Sequence, residues 1–309
     1  MKDCIICRES KSDFNVEHVI PDSIGGTMTI DTVCEVCNSK LGSKVDNHLV
    51  EHFFCIVKRE ELHMRSQNKN LPNSFEHQEY HLRDNANQIV KLDKVKNRFE
   101  LKPEIDKTSN YVSFDINDTK NIERFCTKHN IDISLFEKEN VSDQLTGNIK
   151  IDNISFSIAL FKIAYEFAIK EIPAYYEDEM AKIISSIIYD TAYSKDKIFT
   201  FDSKNIKYHT SLLKNNFSSS FQKYFELSSN NHLMILFSTK ELGLVCNIKI
   251  FDIFYFMIQL SENQFNIGTI VYENNLGDAN SKTESLIEFI VRKNVCSITK
   301  TICQLPFPC

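Results

Sequence analysis

Glycine and proline are scarce in this chain: its 309 residues include seven glycines and six prolines. Long flexible linkers are rich in glycine or proline, so we expect none here. No stretch approaches the roughly 20 consecutive apolar residues of a membrane-spanning helix. The first residues also lack the apolar core of a secretory signal peptide. With 42% hydrophobic and 25% charged residues, the composition predicts a folded cytoplasmic protein that does not enter a membrane.

An excess of basic residues is absent as well, because the formal net charge is −6. Proteins that bind duplex nucleic acid often carry a basic face, so the total charge argues mildly against such a partner. The charge distribution is more favourable: Asp and Glu outnumber Lys and Arg in residues 1–37, and the order reverses in residues 38–70. A nucleic-acid-binding face and an ordinary solvated helix face both fit this reversal. The chain also lacks a P-loop and a dinucleotide fingerprint, so we do not expect an NTPase.

Cysteine, in contrast, is frequent. Four of the ten cysteines form two Cys-x-x-Cys pairs, Cys4/Cys7 and Cys34/Cys37. Four thiolates at this spacing can hold one tetrahedral zinc ion. Because so short a segment buries little core, the metal would supply much of its folding free energy. A reducing compartment argues against disulfides, and we expect most of the remaining cysteines to be small buried apolar side chains: Cys55, Cys126, Cys246, Cys296, Cys303 and Cys309.

The stretch between the two cysteine pairs has the pattern of a strand followed by a turn. Apolar and polar residues alternate up to Glu17 and His18, which predicts a strand with successive side chains on opposite faces. Pro21 and Gly25-Gly26 then interrupt the strand and turn the chain. A second alternating stretch follows, and a helix is predicted to begin at Cys34. The predicted order is therefore strand, loop, strand, helix.

These residues resemble the HNH endonuclease family, which has a ββα-metal fold. The resemblance depends on Cys4-x-x-Cys7, Glu17-His18-Val19-Ile20-Pro21, Gly25-Gly26, Cys34-x-x-Cys37-Asn38 and Lys40. The pattern is most similar to the zinc-stapled branch, which includes McrA-like restriction enzymes and effectors of antiphage defence. It covers only about residues 1–50, so most of the chain lies outside it.

The resemblance implies a role for each residue of the motif. His18 would be the general base that deprotonates the attacking water, so activity should rise as its imidazole loses a proton. Glu17 and Asn38 would hold one Mg²⁺ or Mn²⁺ ion, which stabilises charge on the phosphate and on the leaving oxygen. Lys40 and Lys44 would contact flanking phosphates.

The chain departs from the family pattern at two positions. The family more often has Asp where this chain has Glu17. Its middle Asn, which orients the base, is replaced by Thr29. The group that orients the base is therefore open: a backbone carbonyl, Asp31 or Asp46 could take this role. Asn38 fills the last position of the motif and keeps the metal site plausible.

Non-catalytic interpretations also exist for these residues. His18 could be a structural histidine, Glu17 a surface charge, and Asn38 a helix cap. Lys162 and Glu166 lie four residues apart on a predicted helix, and we expect them to form a surface ion pair rather than a second active site.

The segment after the motif is predicted to form another helix. Asp46 has the position of its N-cap. His48 and His52 lie one turn apart and could bind a metal ion, but a position on the solvated face is favoured.

The remainder of the chain predicts a larger mixed α/β region. It should contain a helical hairpin (153–171 and 175–193), three antiparallel strands (232–238, 244–251 and 254–260) and a final helix (283–293). The predicted fold class is α+β, with a zinc-stapled ββα-metal module in residues 1–60 and a recognition or regulatory domain in residues 61–309.

The predicted function is metal-dependent hydrolysis of DNA, in restriction or antiphage defence. The C-terminal domain would give specificity, or would gate the nuclease through an activating ligand, a partner protein or a second copy of the chain. The alternative is a non-catalytic zinc-dependent module that binds nucleic acid or protein.

Overall fold

The computed structural model describes residues 1–65, 71–74, 80–82, 85–93, 98–101, 104–106, 111–114, 119–135, 145–147, 152–193, 206–211, 222–225, 231–277 and 280–293. The chain divides into two compact units. One unit combines Met1–Pro72 with Asp152–Cys309, and the other is Asn73–Ile151. Among the described helices, none is both long enough and apolar enough to span a bilayer.

The N-terminal segment has the predicted order of strand, loop, strand and helix. Its elements are β1 (Lys2–Asp3), β2 (Ser10–Lys11), β3 (Glu17–His18), β4 (Thr29–Ile30), α1 (Glu35–Leu41), α2 (Asn47–Val50) and α3 (Phe53–Glu61). β1 pairs with β2 and β3 pairs with β4, both antiparallel. A short 3₁₀ turn, Asp22–Ile24, lies in the loop between β3 and β4. His18 and Thr29 are directly opposite each other across the pair.

The expected N-cap at Asp46 is wrong. Asp46 has helical backbone angles, and its side chain caps no N–H group. The helix continues from α1 into α2 through a π-helical turn, Gly42–Asp46, so no new helix begins here. The π turn widens the helix locally and changes the direction of the following side chains. Asp46 is buried as a result.

The unit Asn73–Ile151 is a separate mixture of strands and one longer helix. Its described elements are β5 (Tyr80–Leu82), β6 (Asn85–Asp93), β7 (Arg98–Leu101), β8 (Glu104–Asp106), β9 (Tyr111–Ser113), α4 (Thr119–His129) and β10 (Leu145–Gly147). Four strands form an antiparallel sheet in the order β10-β5-β6-β7, and β8 pairs with β9. Ile122 and Cys126 are buried on one face of α4.

Both predicted helices of the hairpin are present and pack against each other. They are α5 (Asn153–Glu171) and α6 (Glu179–Tyr193). Asp152 caps α5, because its carboxylate accepts the N–H groups of Ile154 and Ser155, each at 3.1 Å. A 3₁₀ turn, Pro173–Glu177, occupies the predicted start of the second helix, so α6 begins later than expected.

The remaining elements include a six-stranded sheet. They are β11 (Tyr208–Ser211), α7 (Gln222–Phe225), β12 (His232–Thr239), β13 (Gly243–Ile250), β14 (Phe254–Ser261), β15 (Ile270–Asn275), β16 (Asn280–Ser285) and the helical residues 286–293, named α8. The strand order is β11-β14-β13-β12-β15-β16, with every pair antiparallel. The three predicted strands are confirmed. The predicted helix 283–293 starts too early, because residues up to Ser285 pair with β15.

One hydrophobic core joins the N-terminal segment to the C-terminal half. Val19 and Leu41 of the segment belong to the same buried cluster as Phe161 of α5 and Ile248 of β13. The opposite face of the sheet packs against α7 and α8 in a second, smaller cluster. The predicted mixture of helix and antiparallel sheet is confirmed. The boundary at residue 60 lies inside one compact unit, and independent folding of residues 1–60 stays a prediction.

His52 is buried, contrary to the expected solvated position, whereas His48 is exposed. His52 directly precedes α3 in an extended conformation, which turns its side chain inward. Its ring lies 5.8, 4.9 and 4.8 Å from the ring centroids of Phe54, Phe156 and Phe254. Neither ring nitrogen has a hydrogen-bond partner among the described residues. Burial lowers the pKa of His52 from 6.5 to about 4.

We expect His52→Phe to reduce the loss of stability in acid. An unfolded histidine binds a proton near pH 6.5, whereas folded His52 binds one only near pH 4. The folded state therefore loses stability as the pH falls between these values, and phenylalanine removes this contribution. Melting temperatures at pH 7 and pH 5 should differ less in the variant, by about 2–4 °C for each kcal/mol recovered. His48→Gln should keep the wild-type difference. An unchanged difference in His52→Phe would contradict the assignment.

Candidate functional site

The four predicted cysteines lie together. The sulfur atoms of Cys4, Cys7, Cys34 and Cys37 are all within 4.8 Å of one another. Thiolates bound to one tetrahedral zinc at about 2.3 Å are separated by about 3.8 Å, so a small adjustment would complete such a site. Cys34 and Cys37 are placed by the start of α1. Cys4 and Cys7 lie on the turn after β1, where Arg8 adopts a left-handed conformation. The donor set therefore fits a structural zinc ion.

The cysteine cluster favours a thiolate even before a metal binds. The hydrogen bond from Cys37 is the largest effect on Cys4 and lowers the pKa of its thiol to about 4, despite burial. The backbone N–H of Cys34 also donates to the Cys4 sulfur at 3.3 Å. The same hydrogen bond raises the pKa of the Cys37 thiol far above its usual value. Since the thiolate is the metal-binding form, the lowered pKa of Cys4 favours metal binding.

His18 is half-buried at the end of β3, and its Nδ1 lies 3.2 Å from the carbonyl oxygen of Gly26. A carbonyl can only accept a hydrogen bond, so this contact places the proton on Nδ1 and the lone pair on Nε2. The backbone carbonyl is thus the group that orients the histidine. Asp31 instead pairs with Lys2 at 3.2 Å, and Asp46 lies 3.3 Å from the ammonium group of Lys162.

Gly26 is required by this arrangement. A Cβ atom at this position would lie 1.8 Å from the carbonyl oxygen of Ile20. Any larger residue would therefore push apart the two sides of the loop, and the carbonyl that faces His18 would move with it. The Gly25-Gly26 pair of the sequence motif thus has a direct link to the histidine.

Glu17 is 4% exposed, and its carboxylate contacts the ammonium group of Lys162 on α5. The same ammonium lies 3.3 Å from Asp46 and 3.3 Å from Glu166. It also donates to the carbonyl oxygen of His18 at 2.8 Å. We call Lys162, Glu17, Asp46 and Glu166 the buried charge cluster.

The expected surface pair of Lys162 and Glu166 is therefore wrong, since neither side chain is exposed. The reason is that α5 is buried on nearly its whole circumference, from Phe156 to Ile169. The sequence contains a signal for this burial, because apolar residues surround Lys162 on all faces of the helix. A charged pair in such a helix indicates a buried, partnered site.

The buried charge cluster contains more acids than bases. Burial raises the pKa of Asp46 to about 6, against the attraction of Lys162, and raises that of Glu166 well above its usual range. Burial alone would lower the pKa of Lys162, but the three carboxylates hold it above its ordinary value. Burial thus favours the neutral form of Glu166, whereas the three carboxylates favour the charged form of Lys162.

The other predicted site residues lie on α1 or just after it. Asn38 is inside α1 rather than at its end, so it is not a helix cap. Its amide nitrogen donates to the carbonyl oxygen of Val16 at 3.0 Å, which ties α1 to the residue before β3. Lys40 and Lys44 are exposed. Their contact with phosphates stays a prediction.

Replacing Cys34 and Cys37 together with serine should remove zinc from the purified protein. We expect about one zinc ion per wild-type chain, because the four thiols can enclose a single tetrahedral ion. Cys55→Ala changes a buried cysteine outside the cluster and should leave the zinc content unchanged. Elemental analysis of the three proteins measures this. An equal zinc content in the double variant would contradict the site.

Lys162→Met should destabilise the protein much more than Glu166→Gln. Losing the ammonium leaves buried carboxylates without a counter-charge, which costs about 3–5 kcal/mol. Glutamine has the shape of a protonated glutamic acid, so Glu166→Gln should unfold close to wild type. Urea unfolding of both variants makes the comparison. Equal destabilisation by both would show that Glu166 is ionised.

Residues 4–54 match the family described as HNH endonuclease. No curated protein and no solved structure matches the chain. The matched segment contains the cysteine cluster, His18 and Asn38, whereas Lys162 and the six-stranded sheet lie outside it. The predicted resemblance is confirmed over this segment, and it supports nuclease activity in general. Residues 4–54 of this chain thus form an HNH endonuclease module.

Proposed function

We propose that this protein is a metal-dependent endonuclease that hydrolyses DNA phosphodiester bonds with His18 as its general base. The observation that carries this proposal is the contact between Nδ1 of His18 and the Gly26 carbonyl, within a segment that matches HNH endonucleases. A neutral imidazole whose Nδ1 is held in this way keeps Nε2 as a proton acceptor.

In the reaction, Nε2 of His18 takes a proton from the water that attacks the phosphorus atom. The Gly26 carbonyl keeps the ring in place and favours the positive charge that the imidazole gains. The ammonium group of Lys162 donates a hydrogen bond to the backbone carbonyl of His18, which fixes the main chain of the same residue. The histidine is thus fixed at both its ring and its backbone before the substrate arrives.

The divalent cation would be Mg²⁺ or Mn²⁺, held by the side-chain oxygen of Asn38 and by Glu17. Both offer the hard oxygen ligands that such ions prefer. When bound, the ion would stabilise negative charge on the phosphate and on the leaving 3′-oxygen. Glu17 would hold the ion while its carboxylate is also paired with Lys162. Lys40 and Lys44 would hold neighbouring phosphates.

The setting we propose is cytoplasmic restriction or antiphage defence. Uncontrolled cleavage of DNA harms the host, so a nuclease of this kind needs a recognition or control element. The residues beyond the module would supply it, either by selecting the target or by responding to an activating ligand, a partner protein or a second copy. Cleavage of methylated, hydroxymethylated and unmodified DNA by the full chain would identify target preference.

A second candidate is a zinc-dependent module that binds nucleic acid or protein without cutting. The pairing of Glu17 with Lys162 favours this alternative, because it gives Glu17 a structural partner. Plasmid cleavage that requires Mg²⁺ separates the two. Retained DNA binding without any cleavage would support the second candidate.

We expect His18→Ala to lower the rate of plasmid cleavage by about 10²–10⁴, the usual loss when general-base catalysis is removed. Zinc content and melting temperature should stay close to wild type, because His18 belongs neither to the cysteine cluster nor to the set of fully buried side chains. His48→Ala removes an exposed histidine nearby and should cut normally. Wild-type cleavage by soluble His18→Ala would rule out the assigned role.

A further inference from the structure

The loop between β3 and β4 supplies the carbonyl that faces His18, and two other carbonyls of this loop are bound by the six-stranded sheet. Nε2–H of His232 donates to the Ile24 carbonyl oxygen at 2.8 Å. The amide nitrogen of Asn274 donates to the Gly25 carbonyl oxygen at 2.5 Å. Gly26, whose carbonyl faces His18, is the next residue. Two consecutive peptide groups before it are therefore fixed from outside the module.

The residue after Gly26 is held by the same sheet. The hydroxyl of Thr27 donates to the side-chain oxygen of Asn274 at 3.1 Å and lies 3.1 Å from the hydroxyl of Tyr272. Asn274 thus bonds the loop on both sides of Gly26. We call Ile24–Thr27 the histidine-facing loop.

The groups that hold this loop are rigid. His232 and Asn274 are directly paired across β12 and β15, and both side chains are fully buried. Nδ1 of His232 accepts the N–H of Phe251 at 3.1 Å, which fixes the proton on Nε2. Burial lowers the pKa of His232 to about 4, so the ring stays neutral in ordinary buffers. Fully buried polar groups persist in a core when each has a partner, and here their partners are the loop carbonyls.

The backbone hydrogen bonds within the loop use its N–H groups and not the carbonyls of Ile24, Gly25 and Gly26. It contains two adjacent glycines, which lose more conformational freedom on ordering than other residues. Gly25 adopts a left-handed conformation with φ of 86°. Three backbone hydrogen bonds, from Ile24 and Gly26 to Pro21 and from Gly25 to Asp22, close the turn. They fix the N–H groups, whereas the sheet fixes the carbonyls.

We propose that Asn274 and His232 are positioning residues for the general base: they hold the histidine-facing loop so that the Gly26 carbonyl accepts the Nδ1 proton of His18. This inference rests on the proposed function of His18 and names residues far outside the segment that matches the family. It makes the C-terminal sheet part of the nuclease site without any contact with substrate.

The test combines Asn274→Ala with a milder variant, Thr27→Val, in which the exposed threonine loses both hydroxyl contacts and keeps its shape. We expect Asn274→Ala to lower the cleavage rate by up to about 10²-fold, the cost of a small misplacement of a catalytic group. Thr27→Val should lower it by a smaller factor in the same direction. DNA affinity measured with Ca²⁺ should change less than twofold. Tyr255→Phe, on the opposite face of the sheet, is the control and should cut normally.

A merely structural role is separated by repeating both substitutions in a His18→Ala background. If Asn274 and Thr27 act through His18, each should cost less than twofold there. An equal loss in both backgrounds would overturn the proposal. If Asn274→Ala does not fold, the comparison of Thr27→Val in the wild-type and His18→Ala backgrounds provides the same test.

The nitrogen NMR spectrum of the His18 ring provides a measurement that does not need cleavage. Wild type should show the tautomer with the proton on Nδ1, and Asn274→Ala or Thr27→Val should shift it towards Nε2. An unchanged tautomer in both variants would overturn the positioning role. If wild type cuts no DNA but the tautomer shifts, the positioning role stands and the proposed function fails.

Discussion

The ammonium group of Lys162 joins the N-terminal segment to α5, and the position of His18 depends on this contact. It enters from α5 into a space bounded by Glu17, Asp46 and Glu166, and it also binds the carbonyl of His18. Buried carboxylates without a counter-charge are costly, so the N-terminal segment and α5 stabilise each other. Removing either side would leave the other with unpaired buried charge. Together with the shared hydrophobic core, this contact joins residues that are distant in sequence into one compact unit.

The match to HNH endonucleases ends at residue 54, but several of the groups that hold His18 lie beyond that residue. Lys162 binds its backbone, and Asn274 and His232 bind the loop that faces its ring. The module therefore shares its core and its hydrogen bonds with α5 and the six-stranded sheet and is not a separate domain. A shift of β12 or β15 would therefore reach the loop that faces His18 through the hydrogen bonds of His232 and Asn274.

Three expectations about charged or polar residues were wrong for a common reason. Asp46 is not a helix cap, Lys162 and Glu166 are not on the surface, and His52 is not solvated. Charged residues are exposed in most proteins, so residue type alone favours the surface. The apolar sequence around Lys162 indicates burial but does not identify its partners. Burial is stabilised by groups more than a hundred residues away in sequence: Lys162 of α5 pairs with Glu17 and Asp46 of the N-terminal segment, and Phe156 and Phe254 surround His52. The short stretch of sequence around each residue does not identify these distant partners.

The sequence by itself determined the cysteine cluster, the order of strand, loop, strand and helix, and the position of His18 in the first of these strands. These features depend on short spacings, and the chain connectivity alone brings such residues together. It also predicted α5, α6 and the central strands, whose periodicity is strong. Only the tertiary structure decided which group orients His18 and which cation meets Glu17. The contacts to Lys162 and Asn274 span 144 and 249 residues, and they exist because packing of α5 and β15 against the module places those side chains there.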